Sequence, residues 1–287
     1  MSMISPNLNL GASQPAMLSK IAQRSVLILL VFLTPIFLLN CATTGPGGKR
    51  SLILISTDQE VSIGKQMAGQ VEKENKLVQD TVIQNYFNEI GQRIIRVSDR
   101  KDLKYHFKVI ESDQINAFAA PGGYIYFYSG LLKLMDSEAE LAAVTAHEVS
   151  HVVARHGIKR MQQVIGLSIL LDLALGKSSK ATQQAVSIGI GLALQGYSRE
   201  NESEADEYGV LYMAKSGYNP EGMVGMFEKL QKISPSGENV FEKLASDHPP
   251  TSQRIAESKM TIARLGYQDS DLPVYKERYQ QMKARLK

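Results

Sequence analysis

The sequence contains 287 residues, of which 44% are hydrophobic and 21% are charged. This composition excludes a disordered, collagen-like or disulfide-rich chain, and the absence of regularly spaced long apolar runs excludes a polytopic membrane protein. The formal net charge of +3 falls to +1 when Lys20 and Arg24 are removed with the leader described next. Such a balanced charge offers no basic surface for nucleic acid, and we expect no nucleic-acid partner.

The N-terminal region has the order of a secretory signal. A 14-residue apolar run at 26–39 follows the two basic residues and is too short to span a bilayer comfortably. The run ends just before Cys41, the only cysteine, which precedes a tether that contains Gly and Pro. This order resembles a bacterial lipoprotein signal, in which the cysteine carries the lipid and becomes the new N-terminus. We predict a signal peptide at 1–40 and a lipidated Cys41 with a flexible tether at 41–55. The alternative is an uncleaved signal anchor with an incidental cysteine.

The first part of the mature chain predicts helix followed by a small sheet. Apolar residues recur at three- and four-residue intervals through 56–97, which indicates helix. Alternation of apolar and polar residues at 103–110 predicts a half-buried strand. Two further segments, 114–119 and 124–129, also read as strands and are separated by the turn Pro121-Gly122-Gly123.

The following part is mainly helical. Ser137, with a glutamate three residues later, forms a capping box that opens a helix to about Arg155, and Gly157 is its predicted stop. Two apolar stretches within 161–196 predict a helical hairpin that is either buried or a lid contacting membrane or unfolded substrate. Another helix covers about 200–215.

These elements predict an α+β fold class. A mainly helical domain at 56–265 would contain the small sheet, and the residues at 266–287 would form a basic, helical C-terminal tail.

The predicted helix that begins after Ser137 contains the motif His147-Glu148-Val149-Ser150-His151. Histidines at positions i and i+4 project from one helical face, so His147 and His151 can bind one metal ion. Glu148 would lie beside the open coordination position, where it can act as a general base for a metal-activated water. The alternative is a helix with incidental His and Glu residues.

A catalytic zinc site needs a third protein ligand, and an acidic segment supplies candidates. Glu202 and Asp206 share one helical face, and so do Glu200 and Glu204, so periodicity alone cannot choose between the two pairs. The ordinary alternative is an acidic helix start that is favoured by the helix dipole. His156 lies five residues after the second histidine of the motif, points away from the metal-binding face, and is expected to be a polar or supporting residue.

The order of two motifs resembles a known family. His147-Glu148-x-x-His151 followed by Ser198-Arg199-x-x-Glu202-x-x-Ala205-Asp206 resembles the gluzincin family of HtpX-like and CAAX-prenyl-protease-like zinc metallopeptidases, and within it the periplasmic BepA- and LoiP-type lipoprotein peptidases. The likeness covers about residues 55–265. It implies a zincin-like metallopeptidase domain with one Zn²⁺ per chain. It also implies that Glu202 is the third zinc ligand and that Asp206 supports the site.

The resemblance also indicates where substrate would bind. The segment Asn116-Ala117-Phe118-Ala119, with Pro121-Gly122-Gly123 after it, matches the strand that this family uses to bind peptide. A strand at an exposed sheet edge holds an extended peptide through main-chain hydrogen bonds with little demand on its sequence. We expect Asn116, Ala117 and Phe118 to form an edge strand that faces the active-site cleft. An ordinary internal strand is the alternative.

His248 is a further candidate catalytic residue. It lies in Ser246-Asp247-His248-Pro249-Pro250, where two prolines stiffen the backbone, so the imidazole is presented from a loop. The resembling family has a His-Pro pair with a downstream Arg, matched here by His248 and Arg254. We expect His248 to lie near the zinc, where it either occupies the open position or hydrogen-bonds the tetrahedral intermediate. Tyr197, Arg199 and Arg254 are the other candidates for stabilising the oxyanion, and a surface-loop histidine is the alternative.

The sequence therefore predicts a zinc endopeptidase in which Glu148 is the general base. The resemblance implies that its substrates are unfolded or misassembled proteins of the bacterial cell envelope. The lipoprotein-type signal implies that a lipid on Cys41 tethers the protein to a membrane, and we expect it to face the periplasm at the outer membrane. Two other functions remain open, a chaperone-like protein with a structural zinc and a scaffold lipoprotein.

Overall fold

The computed structural model describes residue 47, residues 52–233 and residues 252–286. The predicted signal peptide, Cys41 and His248 lie outside these ranges. The described helices are α1 (Thr57–Glu74), α2 (Thr81–Ile95), α3 (Ser129–Leu134), α4 (Glu138–Val153), α5 (His156–Ile165), α6 (Leu167–Ala174), α7 (Lys180–Ala193), α8 (Arg199–Lys215), α9 (Glu221–Ile233), α10 (Ser252–Arg264) and α11 (Lys276–Lys283). In these ranges no helix has the length and apolar character needed to cross a membrane.

A small mixed sheet accompanies these helices and confirms the predicted α+β class. Its strands are β1 (His106–Ile110), β2 (Ala117–Ala120) and β3 (Tyr124–Tyr128), in the order β1-β3-β2. The central strand β3 pairs in parallel with β1 and antiparallel with β2. In the described part of the chain, β2 is therefore an edge strand.

The sheet separates two apolar clusters because successive strand side chains point to opposite faces. Phe107 and Phe127 belong to the larger cluster, which includes side chains from α2, α4, α8 and α9. Phe118 and Tyr126 belong to the second cluster, which includes side chains from α1, α5, α6 and α7. Both faces of the sheet are covered, which explains why its strands are almost entirely buried.

Helix α4 lies at the centre of the domain, and every one of its residues is buried. Helix α8 packs along it, and Gly209 is the point of close approach. A Cβ atom on Gly209 would lie 2.8 Å from the Met223 methyl carbon and 3.4 Å from the backbone nitrogen of His147. The missing side chain at Gly209 thus brings the acidic face of α8 against the His-containing face of α4.

The predicted stop of this central helix at Gly157 is wrong. Helix α4 ends at Val153, and the left-handed residue after it is Arg155, with φ of 57°, whereas Gly157 lies inside α5. A left-handed backbone is unfavourable for a residue with a side chain. Here the buried guanidinium is held by two polar contacts: its Nε lies 2.7 Å from the carboxylate of Glu60, and its Nη2 donates to the Ile55 carbonyl at 2.6 Å.

The helical region predicted at 56–97 is divided into α1 and α2 by a short extended segment. Asp80 caps the second helix by accepting hydrogen bonds from the backbone N–H groups of Val82 and Ile83. In the same segment, Leu77 forms an isolated bridge with Ile110 at the end of β1. The cap at Asp80 and the strand contact of Leu77 lie between the two helices and separate them.

The predicted hairpin within 161–196 consists of the end of α5 with α6 and α7. One side of it is buried against α1, with Leu170, Leu173 and Ala185 in the smaller apolar cluster. Leu175 and Ile188 are exposed at 69% and 45%. The hairpin therefore contributes to the core through one face and presents apolar side chains on another.

The C-terminal segment at 266–287 contains α11, which packs against the domain. Tyr279 is fully buried and its hydroxyl donates to the Leu132 carbonyl at 2.7 Å. Arg278 contacts the carboxylate of Glu138 at 3.2 Å, at the start of α4. This segment is thus attached to the same core as the candidate site.

Candidate metal centre

Two capped helices position the predicted site residues. Ser137 caps α4 by accepting a hydrogen bond from the Glu140 N–H, and Ser198 caps α8 by accepting one from the Asn201 N–H. On α4, His147, Glu148 and His151 follow in the spacing that the motif predicts, and on α8 the corresponding residues are Glu202 and Asp206. All five of these residues are buried.

The predicted ligand atoms converge on one point. The Nε2 atoms of His147 and His151 lie 3.0 Å apart, and each lies 3.5 Å from a carboxylate oxygen of Glu202. A tetrahedral zinc ion with bonds of about 2.0–2.1 Å requires ligand atoms roughly 3.3–3.4 Å apart, a value that these distances bracket. His147, His151 and Glu202 therefore form a group that could hold one metal ion.

The charges around these atoms also suit a divalent cation. Glu148, Glu202 and Asp206 are buried carboxylates, and Arg254 is the buried cation among them. Burial alone lowers the pKa of His147, but the hydrogen bonds and charges of Asp206 and Glu202 raise it to about 10. Carboxylates that favour a positive charge at this imidazole also favour a metal cation beside it.

Asp206 and Arg254 contact the candidate ligand side chains. An oxygen of Asp206 lies 2.9 Å from Nδ1 of His147, so it can fix the orientation of that ring. Arg254 donates to both oxygens of Asp206 at 2.6 and 2.8 Å, and its Nη1 lies 3.0 Å from Glu202. The Arg254 guanidinium, a candidate for oxyanion stabilisation, thus contacts the carboxylates of the site.

The structure resolves the choice between the two acidic pairs. Glu202 and Asp206 face His147, whereas Glu200 is exposed in the first turn of α8. Glu204, which the sequence offers only as an alternative to Glu202, lies 3.2 Å from Nε2 of His156. No signal in the sequence alone pointed to this contact, because it depends on how α5 and α8 meet.

Of the other two described candidates for oxyanion stabilisation, Tyr197 contacts the site and Arg199 is exposed. The Tyr197 ring stacks on His151 with centroids 4.3 Å apart, and a Cβ atom at Gly157 would lie 3.5 Å from the Tyr197 hydroxyl. Burial, together with the charges of Glu148 and Glu202, raises the pKa of Tyr197, so its hydroxyl stays protonated at neutral pH. Arg199 is exposed at the start of α8.

The predicted peptide-binding strand corresponds to β2 and the residue before it. Asn116, Ala117 and Phe118 are buried, and the side-chain oxygen of Asn116 accepts a hydrogen bond from the Ala117 N–H at 2.9 Å. Within the described ranges, the side-chain nitrogen of Asn116 has no hydrogen-bond partner. The end of β2, at Ala119 and the following alanine, lines a small cavity together with His151.

Comparisons with known proteins agree with this geometry. The sequence model of Peptidase family M48 matches residues 83–262. The chain is 31% identical over 216 residues to the beta-barrel assembly-enhancing protease of Yersinia pestis, covering 71% of this chain and 44% of that protein. It is 32% identical over 171 residues to the mitochondrial metalloendopeptidase OMA1 of Schizosaccharomyces pombe, covering 59% of this chain and 50% of that protein. It is also 32% identical over 153 residues to the metalloprotease LoiP of Escherichia coli, covering 52% of this chain and 59% of that protein. The chain thus spans about half the length of these relatives.

Proposed function

This chain belongs to peptidase family M48, a family of zinc metallopeptidases, and we propose that it is a zinc-dependent endopeptidase acting on unfolded or misassembled proteins of the bacterial cell envelope. The observation that carries this proposal is the convergence of His147, His151 and Glu202 within 3.0–3.5 Å of one another, with Glu148 buried beside them. A zinc ion with a purely structural role needs neither a general base such as Glu148 nor a coordination position left open for water.

Each residue of the site has a defined task in this proposal. When bound, zinc acts as a Lewis acid that makes a water molecule nucleophilic at neutral pH. His147, His151 and Glu202 hold the ion, and Asp206 and Arg254 keep two of these side chains in place. Glu148 accepts a proton from the attacking water and delivers it to the leaving amine of the cleaved peptide bond.

The position of β2 supports a preference for unfolded substrates. An extended peptide beside an edge strand is held through its backbone, and folded proteins rarely present such a segment. The end of β2 lines the same small cavity as His151, so a peptide bound along Asn116–Phe118 would run toward the metal centre. Two bacterial relatives are named beta-barrel assembly-enhancing protease, which supports β-barrel assembly as the process in which this protein acts.

The substrate preference can be tested by comparing the unfolded and the folded state of one substrate protein. We expect the full chain to cleave an unfolded outer-membrane β-barrel protein at internal bonds at least about tenfold faster than the same protein folded in detergent, because cleavage requires an open segment. A zinc chelator should abolish cleavage, and added Zn²⁺ should restore it. Product masses measured by mass spectrometry give the cleavage sites. Equal rates on both states, or removal of terminal residues only, would contradict the proposal.

The proposed location depends on Cys41. We propose that this residue carries the lipid that attaches the protein to the outer membrane, facing the periplasm. Because a lipidated cysteine would be the main membrane attachment, we expect Cys41→Ser to move the protein from the membrane fraction to the soluble fraction. Immunoblots of separated inner and outer membranes measure the change. A variant that still sediments with membranes would place the attachment elsewhere, either in an uncleaved signal anchor at 26–39 or in the exposed apolar face of the hairpin.

A further inference from the structure

A second histidine lies directly behind the metal-binding histidine His151. The Nδ1 atoms of His151 and His156 are 2.8 Å apart, and both rings are buried. On its other side, the Nε2 atom of His156 lies 3.2 Å from Oε2 of Glu204. Glu204, His156 and His151 therefore form a continuous line of contacts that ends at the candidate metal position.

Hydrogen-bonding rules allow one arrangement of protons along this line when His151 binds a metal through Nε2. The Nδ1 atom of His151 then carries its proton and donates it, so Nδ1 of His156 must accept. A neutral His156 that accepts at Nδ1 carries its own proton on Nε2, which points at the Glu204 carboxylate. We propose that His156 and Glu204 are positioning residues, which fix the tautomer and the orientation of His151 for metal binding.

The two metal-binding histidines are thus supported in different ways. His147 contacts the carboxylate of Asp206 directly at 2.9 Å, whereas His151 reaches the carboxylate of Glu204 through an intervening imidazole. Carboxylate partners of this kind set the ring orientation of a ligand histidine and raise its basicity. For His151, the effect of the Glu204 carboxylate on ring orientation and basicity passes through His156.

The local backbone explains how His156 reaches this position. Arg155 adopts the left-handed conformation, with φ of 57°, and turns the chain sharply between α4 and α5. His156 is the first residue of α5 and returns toward the face of α4 that carries His151. The Tyr197 ring stacks on His151 and is tilted against His156, with centroids 4.3 and 5.6 Å away. Both imidazoles are therefore enclosed on more than one side.

Replacing His156 with Phe tests this inference, which rests on the proposed metal centre. Phe retains a ring of similar size but cannot accept the Nδ1 proton of His151, so a buried donor is left without its partner. We expect zinc affinity to fall by about 10- to 100-fold, as is common when such supporting partners are removed. His156→Asn, whose side-chain oxygen can accept in place of Nδ1, should recover most of the affinity. Zinc affinity is measured by competition with a chromophoric chelator on the full chain.

Variants of Glu204 extend the test to the end of the line. Glu204→Leu removes the acceptor for His156 and should weaken zinc binding, whereas Glu204→Gln keeps an acceptor oxygen and should stay near wild type. Glu207→Gln is the matched control, because Glu207 lies on the same helix but pairs with Arg264 at the surface. Circular dichroism of each zinc-saturated variant verifies that it is folded.

The outcomes separate this inference from the proposed enzyme function. If folded His156→Phe and Glu204→Leu bind zinc as tightly as wild type, the positioning role is wrong while the metal centre stands. If His156→Asn is no better than His156→Phe, hydrogen bonding at this position is not the cause and the inference is also wrong. If the wild-type chain binds no zinc, the proposed metal centre itself fails.

Discussion

The substitution Glu148→Gln is expected to lower kcat for peptide hydrolysis by about 10²- to 10⁴-fold, the usual contribution of a general base. Gln has nearly the same shape as Glu but cannot take a proton from the attacking water. Because Glu148 is not one of the three converging ligand residues, the variant should still bind one zinc ion per chain. Hydrolysis of a quenched-fluorescent peptide gives kcat and KM, and metal analysis gives the zinc content.

A matched control separates loss of the base from general damage to the site. Glu200 is exposed in the first turn of α8, so Glu200→Gln should leave both kcat and zinc content unchanged. Unaltered proteolysis by the Glu148 variant would rule out the assigned mechanism. Loss of zinc from that variant would assign Glu148 to metal binding instead of proton transfer.

The variant Glu148→Gln also distinguishes an enzyme from the chaperone-like and scaffold alternatives. In those alternatives the activity is binding, so Glu148→Gln should support envelope protein assembly as well as wild type does. For a protease the variant should bind unfolded substrate without cleaving it and should fail to complement a deletion strain. Retained complementation in the absence of cleavage would favour a binding function.

The convergence of the candidate ligand residues on α4 could be predicted from the sequence because their geometry is local. An i, i+4 pair of histidines faces one way in any regular helix, whatever packs around it. Ser137 identified the start of this helix, and its side chain does cap the first turn. Strand β1 was also readable, since the half-buried His106 and Lys108 alternate with Phe107 and Val109, which are buried in the larger apolar cluster.

The third ligand could not be derived from periodicity. Glu202 and Glu204 lie on different faces of α8, and the rotation of α8 against α4 decides which one meets His147 and His151. That rotation depends on the close contact at Gly209, a tertiary feature that no helical pattern contains. Resemblance to a family, which reflects the packed structure, was needed to favour Glu202.

The end of α4 could not be predicted for a related reason. Glycine is the usual left-handed residue after a helix, and Gly157 was therefore the natural choice. In the structure Arg155 takes that conformation, and its buried guanidinium pairs with Glu60, which is almost a hundred residues earlier in the chain. The left-handed residue is thus accompanied by a long-range ion pair, which no local pattern in the sequence reveals, and it directly precedes His156.

Loss of the carboxylate from this buried ion cluster is expected to lower stability strongly, because two buried cations would be left unpaired. Glu60 is 1% exposed and receives two guanidinium groups, from Arg100 at 2.9 Å and from Arg155 at 2.7 Å. Its carboxylate also accepts a hydrogen bond from the Gly122 N–H, in the turn between β2 and β3. One side chain therefore connects α1, the end of α4 and the turn that follows the candidate peptide-binding strand.

Replacing Glu60 with Ala should lower the free energy of unfolding by about 3–5 kcal/mol, because it leaves two buried cations without their carboxylate partner. Glu111→Ala is the matched control, since Glu111 pairs with Lys76 at 2.8 Å on the exposed surface and should contribute less than about 1 kcal/mol. Urea denaturation of zinc-saturated protein, followed by circular dichroism, measures both changes. If the two variants lose similar stability, the expected penalty for leaving two buried cations without their partner is wrong. A large loss confined to Glu60→Ala would show that the two buried guanidinium groups, including that of Arg155 in the turn before His156, need this carboxylate as their partner.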